Sequence, residues 1–271
     1  MDFSPFSTDH TDQAVALSQA EAWPHRREDW DMLMSLSTGR VALEGDTVVG
    51  TALRTDYGPD VSMVNMIIVG ASHRGRGLGR RLMEAVMDAA PARELRLFAT
   101  KDGLPLYEKL GFVAEGAVSQ CQGLVTGACA PGAPVSAAGR EDLEAVIALD
   151  QHFLSADRSR LLHWLAQNAE LAVIRSPEGE VTGYAAARRF GRGHVIGPIV
   201  TPQVESAKDL ICHFAGGLTG KFMRIDADDA LGLAPWLETI GLERTGGAIK
   251  MRKNTITTPR PVFGCCSQAL G

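Results

Sequence analysis

The sequence predicts an α+β protein that contains two copies of one fold. Apolar runs typical of strands alternate with helical patterns, and a glycine-rich loop joins one strand directly to a helix. The pattern of the first half also returns in a degenerate form in the second half, as expected for an internal repeat. At 271 residues, the chain is long enough for two domains that each bury a core.

The first half is predicted to open with two helices and a β-hairpin. Capping Asp and Thr residues precede the first helical pattern, and an aromatic, charged segment connects it to the second. Two short apolar runs then flank a Glu-Gly-Asp turn, which indicates a hairpin. The predicted elements are a helix over residues 11–21, the connection 23–30, a helix that ends near Gly39, and a hairpin of residues 40–43 and 47–54.

The stretch of residues 62–90 is the centre of the first half. Residues 64–69 are mostly branched and apolar, as expected for a strand that is buried on both faces. From Leu78 onward, apolar and charged residues take opposite sides of a predicted amphipathic helix. The glycines between them leave backbone N–H groups free at the positive end of that helix, so this stretch predicts an anion site.

The spacing of this loop, Arg-Gly-Arg-Gly-Leu-Gly over residues 74–79, distinguishes between classes of phosphate site. A dinucleotide loop requires G-x-G-x-x-G directly after the strand, whereas here the glycines alternate and residues 70–73 intervene. A Walker-type loop requires a Lys-Ser or Lys-Thr ending, which is absent. Arg-x-x-Gly-x-Gly after an apolar strand closely resembles the pyrophosphate-binding signature of the GNAT superfamily of acetyl-CoA-dependent N-acetyltransferases. The alternative is a solvated arginine turn before a core helix.

A second motif supports this resemblance. After a predicted strand over residues 94–100, a short helix carries Leu-Pro-Leu-Tyr-Glu-Lys-Leu-Gly-Phe over residues 104–112. This string resembles the second GNAT segment, whose tyrosine lies beside the sulfur of coenzyme A. The resemblance covers residues 11–116; together with the internal repeat, it implies tandem GNAT folds, each a mixed, mostly antiparallel sheet flanked by helices. The Trp-Pro-His-Arg…Asp-Trp segment at residues 23–30 further resembles a bacterial two-domain branch of the superfamily.

The second half is predicted to be a degenerate copy of the first. Residues 236–246 align with residues 106–116, and residues 195–200 align with residues 64–69. In this register Leu237 replaces Tyr107, and residues 204–209, which contain no glycine, replace the loop. We therefore predict that the second half binds no cofactor. Instead, it is expected to support the first half and to form a wall of the acceptor site. The predicted domains are a catalytic GNAT domain over residues 1–125, a linker over residues 126–138, and a degenerate GNAT-like domain over residues 139–271.

The resemblance implies roles for individual residues. Tyr107 is the expected general acid, because a phenol with a pKa near 10 can protonate a departing thiolate; its alternative is a core tyrosine. Trp23, His25 and Trp30 are expected at the mouth of the acceptor site. Where the family's strands splay, a backbone N–H is expected to polarise the thioester carbonyl. The expected acetyl-CoA-binding residues are Ile67, Ile68, Val69, Arg74, Gly75, Arg76, Gly77, Leu78 and Gly79.

The general base stays open at this stage. Some relatives use a glutamate within the central strand, but that position falls at Asn65, which cannot act as a base. Ordered water is one alternative to a dedicated base. Arg158, in a capped helix start, is either structural or a contact for a carboxylated acceptor. The remaining candidate bases are His25, Asp56, His73 and Glu115.

These features predict an acetyl-CoA-dependent N-acetyltransferase. The acetyl group is expected to move to a primary amine of a small molecule by direct attack in a ternary complex. The alternatives are a non-catalytic acyl-CoA-binding sensor or partner protein, and a protein-lysine acetyltransferase. The small-molecule acceptor is the expected partner, and the chain is expected to be a monomer or a homodimer.

Composition limits the partners further. A net charge of −5 argues against nucleic acid, and no apolar run approaches the roughly 20 residues that span a membrane. No signal peptide is evident, so we expect a cytoplasmic protein without a membrane partner. The chain has five cysteines, an odd number, and no two of them form a C-x-x-C motif. We therefore predict that all five are reduced and behave as small apolar residues, and that the chain has no metal site.

Overall fold

The computed structural model describes residues 2–127 and 129–271, and the elements of its first half follow the predicted order except that an unpredicted strand, residues 2–5, precedes the first helix. The hairpin begins earlier than predicted, because the strand starts directly at the end of the second helix. The first half contains β1 Asp2–Pro5, α1 Thr11–Ala20, α2 Arg27–Leu36, β2 Ser37–Glu44, β3 Thr47–Tyr57, β4 Val61–Val69, α3 Leu78–Met87, β5 Glu94–Ala99, α4 Leu104–Lys109 and β6 Val113–Leu124. The second half contains β7 Ser136–Ala137, α5 Leu143–Leu154, α6 Ser159–Asn168, β8 Glu170–Arg175, β9 Val181–Phe190, β10 Gly193–Val200, α7 Val204–Ala215, β11 Phe222–Asp228, α8 Ala234–Thr239 and β12 Glu243–Lys253.

The strands of both halves form one sheet. Its order is β1-β2-β3-β4-β5-β12-β6-β11-β10-β9-β8-β7, and helices flank it. Neighbouring strands are antiparallel except for the pairs β4–β5 and β10–β11, which are parallel. This confirms the predicted fold class of mixed, mostly antiparallel sheets flanked by helices. The sequence did not predict that the two sheets would be continuous.

The last strands of the two halves are exchanged. Strand β12, from the second half, lies between β5 and β6 and pairs with both. Strand β6, from the first half, pairs on its other side with β11. Each half therefore includes a strand from the other half in its part of the sheet. The sheet is continuous across the predicted domain boundary at residue 125.

A buried ion cluster reinforces this exchange. Glu94 on β5 is fully buried and accepts hydrogen bonds from Arg252 on β12 at 2.6 and 2.9 Å, and from Arg96 at 2.7 Å. Burial alone would raise the pKa of Glu94. The hydrogen bonds from Arg252, Arg96 and the backbone N–H groups of Ile256 and Thr257 instead lower that pKa to about 2. The carboxylate therefore stays ionised and joins β5 to β12.

The largest apolar core also belongs to both halves. Trp30 and Met63 from the first half belong to the same buried cluster as Leu161, Tyr184 and Leu270 from the second. Two further clusters lie on the opposite side of the sheet, one beneath α3 and α4 and one beneath α7 and α8. The hydrophobic contribution to stability is therefore shared between the halves.

A chain truncated after Gly132 is expected to be insoluble. It would lack β12, which would expose the edges of β5 and β6, and it would lose half of the shared apolar core. Expression of residues 1–132 beside the full chain, followed by size-exclusion chromatography and thermal unfolding, measures this directly. A soluble, monodisperse fragment with a cooperative transition would show that the first half folds without the exchanged strand.

The prediction of five reduced cysteines is wrong for two of them. Cys129 and Cys212 form a disulfide, which joins the segment after β6 to α7. They lie 83 residues apart, so no local spacing indicated that folding brings them together. Cys121, Cys265 and Cys266 are free and buried, and burial raises the pKa of each thiol.

Within residues 2–127 and 129–271, no helix has the length and apolar character to cross a membrane.

Candidate active site

Strands β4 and β5 diverge at the centre of the first half. They pair only over the first residues of each strand, up to Met63 and Arg96. Just beyond, Met66 has φ +49°, and the pairing of β4 with β3 shifts register there. Such a backbone costs about 1–3 kcal/mol, and a 2.7 Å hydrogen bond from Thr51 Oγ1 to the Met66 carbonyl helps to hold it. As a result, residues 67–69 line an open groove of about 550 Å³.

The glycine loop forms one end of this groove. Gly75 and Gly77 have φ near +75°, and a Cβ on either would meet nothing within 4 Å, so backbone conformation rather than space requires glycine there. Gly77 precedes α3, whose N-terminal partial positive charge favours an anion. The backbone N–H groups of residues 75–79 make no backbone hydrogen bond within the described residues. They remain available to a ligand.

The two loop arginines take different positions. Arg74 lines the groove, where its Nε donates to the Val69 carbonyl at 3.0 Å and its guanidinium pairs with Glu21. Arg76 is exposed and does not line the groove. The structure therefore brings together every predicted cofactor-binding residue except Arg76.

Tyr107 lies where the groove meets a second cavity. This second cavity has a volume of about 200 Å³ and is called the acceptor cavity below. Trp23, Ile67, Thr100 and Tyr107 line both spaces. Molecules bound in the groove and in the acceptor cavity would therefore meet beside the Tyr107 ring.

Local sequence positions Tyr107. It lies on α4, which has a proline in its first turn and is followed by Gly111 with φ +85°, a conformation suited to ending a helix. Its ring packs against Phe112, with centroids 6.2 Å apart. Only 6% of the residue is exposed, and burial raises the pKa of Tyr107 to about 12. The hydroxyl therefore stays protonated throughout the physiological range.

The predicted acceptor residues divide into two groups. Trp23 and His25 line the acceptor cavity. Burial lowers the pKa of His25 to about 4; Asp29 opposes this shift, whereas Arg224 and Arg188 add to it, so the imidazole is neutral near pH 7. Its Nδ1 has no hydrogen-bond partner among the described residues.

The placement of Trp30 at the acceptor mouth was wrong. Trp30 is fully buried, stacks on Phe6 at 5.8 Å and donates from Nε1 to Ser18 Oγ at 3.1 Å. The aromatic, charged segment that suggested an exposed mouth continues into α2, and the helical turn directs Trp30 into the shared core. It is a core residue.

The candidate bases other than His25 lie outside the acceptor cavity. Asp56 accepts hydrogen bonds from Arg54 at 2.8 Å and from Ser62 at 2.6 Å. Glu115 accepts a hydrogen bond from Arg252 at 3.1 Å, and His73 lies in the groove, 3.3 Å from Glu44. These contacts hold the three side chains outside the acceptor cavity.

Arg158 is structural. It is 3% exposed, and its Nε and Nη2 donate to both carboxylate oxygens of Asp150 at 2.9 and 2.6 Å. Its Nη1 donates to the Gly271 carbonyl at 2.7 Å. The side chain lines none of the cavities described above, so it does not contact an acceptor there.

Sequence reasoning missed much of the acceptor cavity. The sequence excludes Asn65 as a base but does not indicate that it lines this cavity, as it does in the structure. Most of the other missed residues come from β5, β6, the end of β9 and the turn after it, β11 and a segment after β12, so nothing in their local patterns relates them. They are Phe98, Gln120, Gln122, Phe190, Arg192, Arg224, Ser267, Gln268 and Ala269.

The second half lacks the glycine loop itself, not only its glycines. Residues 70–77 connect β4 to α3, whereas only residues 201–203 connect β10 to α7. Residues 204–209, which the sequence register placed opposite the loop, form the first turns of α7. Leu237, at the position of Tyr107, is fully buried.

The chain itself fills the equivalent gap in the second half. Strands β10 and β11 pair only at His194 and Val195 and then diverge, as β4 and β5 do. Between them, Ile199 donates to the Gly264 carbonyl at 2.9 Å and accepts from Phe263 N at 3.0 Å, and Cys265 N donates to the Asp226 carbonyl at 3.0 Å. The segment 263–265 thus occupies the position of an added strand. It then continues to Ser267–Ala269 in the wall of the acceptor cavity.

Comparison with known proteins agrees with this duplicated architecture. The sequence model of the acetyltransferase (GNAT) family matches residues 5–112, and that of an acetyltransferase (GNAT) domain matches residues 146–262. The uncharacterised N-acetyltransferase YitH of Bacillus subtilis (strain 168) is 31% identical over 170 residues. This match covers 61% of the chain and 60% of the length of that relative.

Solved structures share the fold of the whole chain. A proposed acetyltransferase from Pyrococcus horikoshii is 19% identical with a TM-score of 0.83, over 100% of this chain and 95% of that one. A tandem GNAT protein from the clavulanic acid biosynthesis pathway is 14% identical with a TM-score of 0.64, over 95% and 99% of the two chains. A GCN5-related N-acetyltransferase from Sphaerobacter thermophilus is 17% identical with a TM-score of 0.61, over 95% and 97%.

Proposed function

Because this chain belongs to the GNAT acetyltransferase family, with GNAT sequence models matching both halves, we propose that its first half transfers an acetyl group from acetyl-CoA to an amine. The proposed acceptor is a primary amine of a small molecule, which attacks directly in a ternary complex. The observation that carries this proposal is the junction at Tyr107, where the groove and the acceptor cavity share one wall.

The residues of the groove fit acetyl-CoA. A pyrophosphate suits the free N–H groups of residues 75–79, the N-terminus of α3 and the charge of Arg74. A helix N-terminus contributes only about 0.3–2 kcal/mol for each anionic group, so the hydrogen bonds and Arg74 must supply the rest. The gap beside residues 67–69 suits an extended pantetheine arm, because the chain fills the matching gap in the second half with a strand of its own.

Bound acetyl-CoA would supply an activated thioester, and Tyr107 is proposed to donate a hydrogen bond toward the departing sulfur. With a pKa of about 12, the phenol is a weaker acid than an ordinary thiol with a pKa of about 8.5. Complete proton transfer to an unperturbed thiolate would therefore be uphill by roughly 5 kcal/mol. We infer that Tyr107 mainly stabilises developing negative charge and delivers its proton late.

No carboxylate lines the acceptor cavity among the described residues. His25 is neutral near pH 7 and can accept a proton, but with a pKa of about 4 it is a weak base. We therefore propose that the attacking amine loses its proton to water or through His25, without a dedicated carboxylate base.

The second half is proposed to complete the acceptor cavity without binding a cofactor. It contributes Phe190, Arg192 and Arg224, and the segment after β12 contributes residues 267–269. Between β10 and β11, the gap that would receive a pantetheine arm already contains residues 263–265. One acetyl-CoA per chain is the expected stoichiometry.

A thiol-release assay tests the proposed activity. The full chain is incubated with acetyl-CoA and a panel of amines, amino acids and aminoglycosides, and free coenzyme A is measured with a thiol reagent. We expect turnover that depends on an added amine and yields an acetylated product by mass spectrometry. Tight acetyl-CoA binding without acetylation of any amine would instead favour an acyl-CoA sensor.

A further inference from the structure

We propose that the acceptor is a small primary amine that carries an anionic group at its other end. In this arrangement, Asn65 accepts a hydrogen bond from the amine near the groove, and Arg192 and Arg224 bind the anion at the far side of the cavity. The inference rests on the proposed acetyl transfer and assigns the chemical class of its acceptor.

The amine end follows from the hydrogen bonds of Asn65. This residue lines the acceptor cavity, is only 4% exposed, and is separated by one residue from Ile67, which the cavity shares with the groove. Its Nδ2 donates to Thr55 Oγ1 at 3.0 Å and to the Met63 carbonyl at 3.4 Å, which sets the orientation of the amide. Its Oδ1 is buried without a hydrogen-bond partner among the described residues. An N–H donor in the cavity would satisfy it.

The anion end follows from the charges around the cavity. Arg192 and Arg224 line it, and neither lines the groove. Arg224 is held by paired hydrogen bonds to Asp226 at 2.9–3.2 Å, and its Nη1 makes no hydrogen bond within the described part of the chain. Arg192 is exposed and pairs with no carboxylate of residues 2–127 or 129–271. Both guanidinium groups therefore retain donors for a ligand.

Positive charge also predominates in the shell behind the wall. Asp29 pairs with Arg26 at 2.8 Å and lies 3.8 Å from Arg188, while Asp226 pairs with Arg224. Around the two aspartates there are thus four arginines, namely Arg26, Arg188, Arg192 and Arg224. Burial is the main cause of the lowered pKa of His25; Asp29 opposes it, and Arg224 and Arg188 add smaller contributions in the same direction as burial. A second cationic group on the acceptor would be repelled, whereas an anionic group would be attracted.

The volume limits the size of the acceptor. At about 200 Å³, the cavity is smaller than the roughly 300–1,000 Å³ of pockets for drug-sized ligands. Trp23, Phe98 and Phe190 give it apolar walls that suit a short methylene chain. Short amino acids therefore match its volume, its charge and its two polar ends.

Calorimetry with matched amines tests this inference without depending on turnover. The full chain, saturated with coenzyme A, is titrated with 4-aminobutyrate, butylamine and 1,4-diaminobutane, which differ mainly at the end distant from the amine. Glycine, 3-aminopropanoate and 5-aminopentanoate extend the series in length. We expect the best carboxylate to bind roughly 10- to 100-fold more tightly than its neutral counterpart, with the diamine the weakest. 3-Aminopropylphosphonate distinguishes a phosphate-like source from a carboxylate, and tight binding of either supports the anionic class.

Charge reversal at Arg192 provides the matched variant. Arg192→Glu should weaken carboxylate binding by roughly tenfold or more and strengthen diamine binding, while acetyl-CoA affinity stays unchanged. Arg189→Glu makes the same charge change on β9, at an exposed residue that does not line the cavity, and should leave the amine preference unchanged.

The inference would be overturned if no amine of the series binds, if butylamine binds as tightly as 4-aminobutyrate, or if Arg192→Glu leaves the preference intact. A different result would reject the proposed function alone: carboxylated amines bind with the expected preference, yet acetyl-CoA is never consumed. Binding and turnover therefore distinguish the two proposals.

Discussion

Gly77→Glu is expected to abolish acetyl-CoA binding by the full chain. The new carboxylate would project from the loop at the N-terminus of α3, where the pyrophosphate is proposed to bind. Two unit charges 4 Å apart near a protein surface repel by about 4 kcal/mol, which corresponds to roughly a thousandfold loss of affinity. Calorimetry with acetyl-CoA measures this loss, and the unsubstituted chain should bind one molecule.

Gly77→Glu is expected to fold. A Cβ at Gly77 meets nothing within 4 Å, so the structural cost is that of a left-handed backbone, about 1–2 kcal/mol. Gly220→Glu is the matched control, since Gly220 has φ +74° and equally open surroundings, but lies in the second half. It should have a similar unfolding free energy and normal acetyl-CoA affinity. Unchanged affinity in Gly77→Glu, or two equivalent sites in the unsubstituted chain, would contradict the proposed site.

Tyr107→Phe is expected to lower kcat by roughly 10- to 10⁴-fold while barely changing acetyl-CoA affinity. The change removes one hydroxyl at the junction of the groove and the acceptor cavity and keeps the ring that packs on Phe112. Because the pKa of Tyr107 is raised to about 12, the hydroxyl is a poor donor of a whole proton, so we expect the loss near the lower end of this range.

Single-turnover kinetics should accompany the steady-state measurement, so that acetyl transfer rather than product release is observed. Thermal unfolding checks that the packing of α4 is retained. The high pKa also predicts that Tyr107 contributes no alkaline decline in activity below about pH 11. If Tyr107→Phe transfers the acetyl group as fast as the unsubstituted chain at every pH, the tyrosine is a packed core residue and not the proton donor.

The parts of the site that could be read from the sequence are local. The loop of residues 74–79 and the segment of residues 104–112 carry their motifs in consecutive residues, because glycine conformations and a helix start depend on near neighbours in the chain. The same is true of the order of strands and helices, which the structure confirms. Arg76 shows the limit of such reasoning, since a motif identifies a residue type but not the direction of its side chain.

Sequence-based predictions failed or stayed open where contacts between residues distant in the chain decide the outcome. Trp30 belongs to a charged, aromatic segment that suggested an exposed mouth, but its helical position also faces the core, and packing against Phe6 decided between them. Cys129 and Cys212 pair although 83 residues separate them. The sequence allows Arg158 a structural or an acceptor-binding role, and its burial beside Asp150 shows that the role is structural.

The sequence by itself determined the family, the repeated pattern, the glycine loop and the absence of its glycines from the second half, because each is carried by short runs of consecutive residues. Only the tertiary structure decided where the acceptor cavity lies and what lines it. Exchange of β6 and β12 and insertion of residues 263–265 between β10 and β11 bring Asn65, Arg192, Arg224 and Gln268 together. Strand pairing depends on backbone hydrogen bonds that any residue except proline can donate, so side-chain patterns do not specify which distant strands become neighbours.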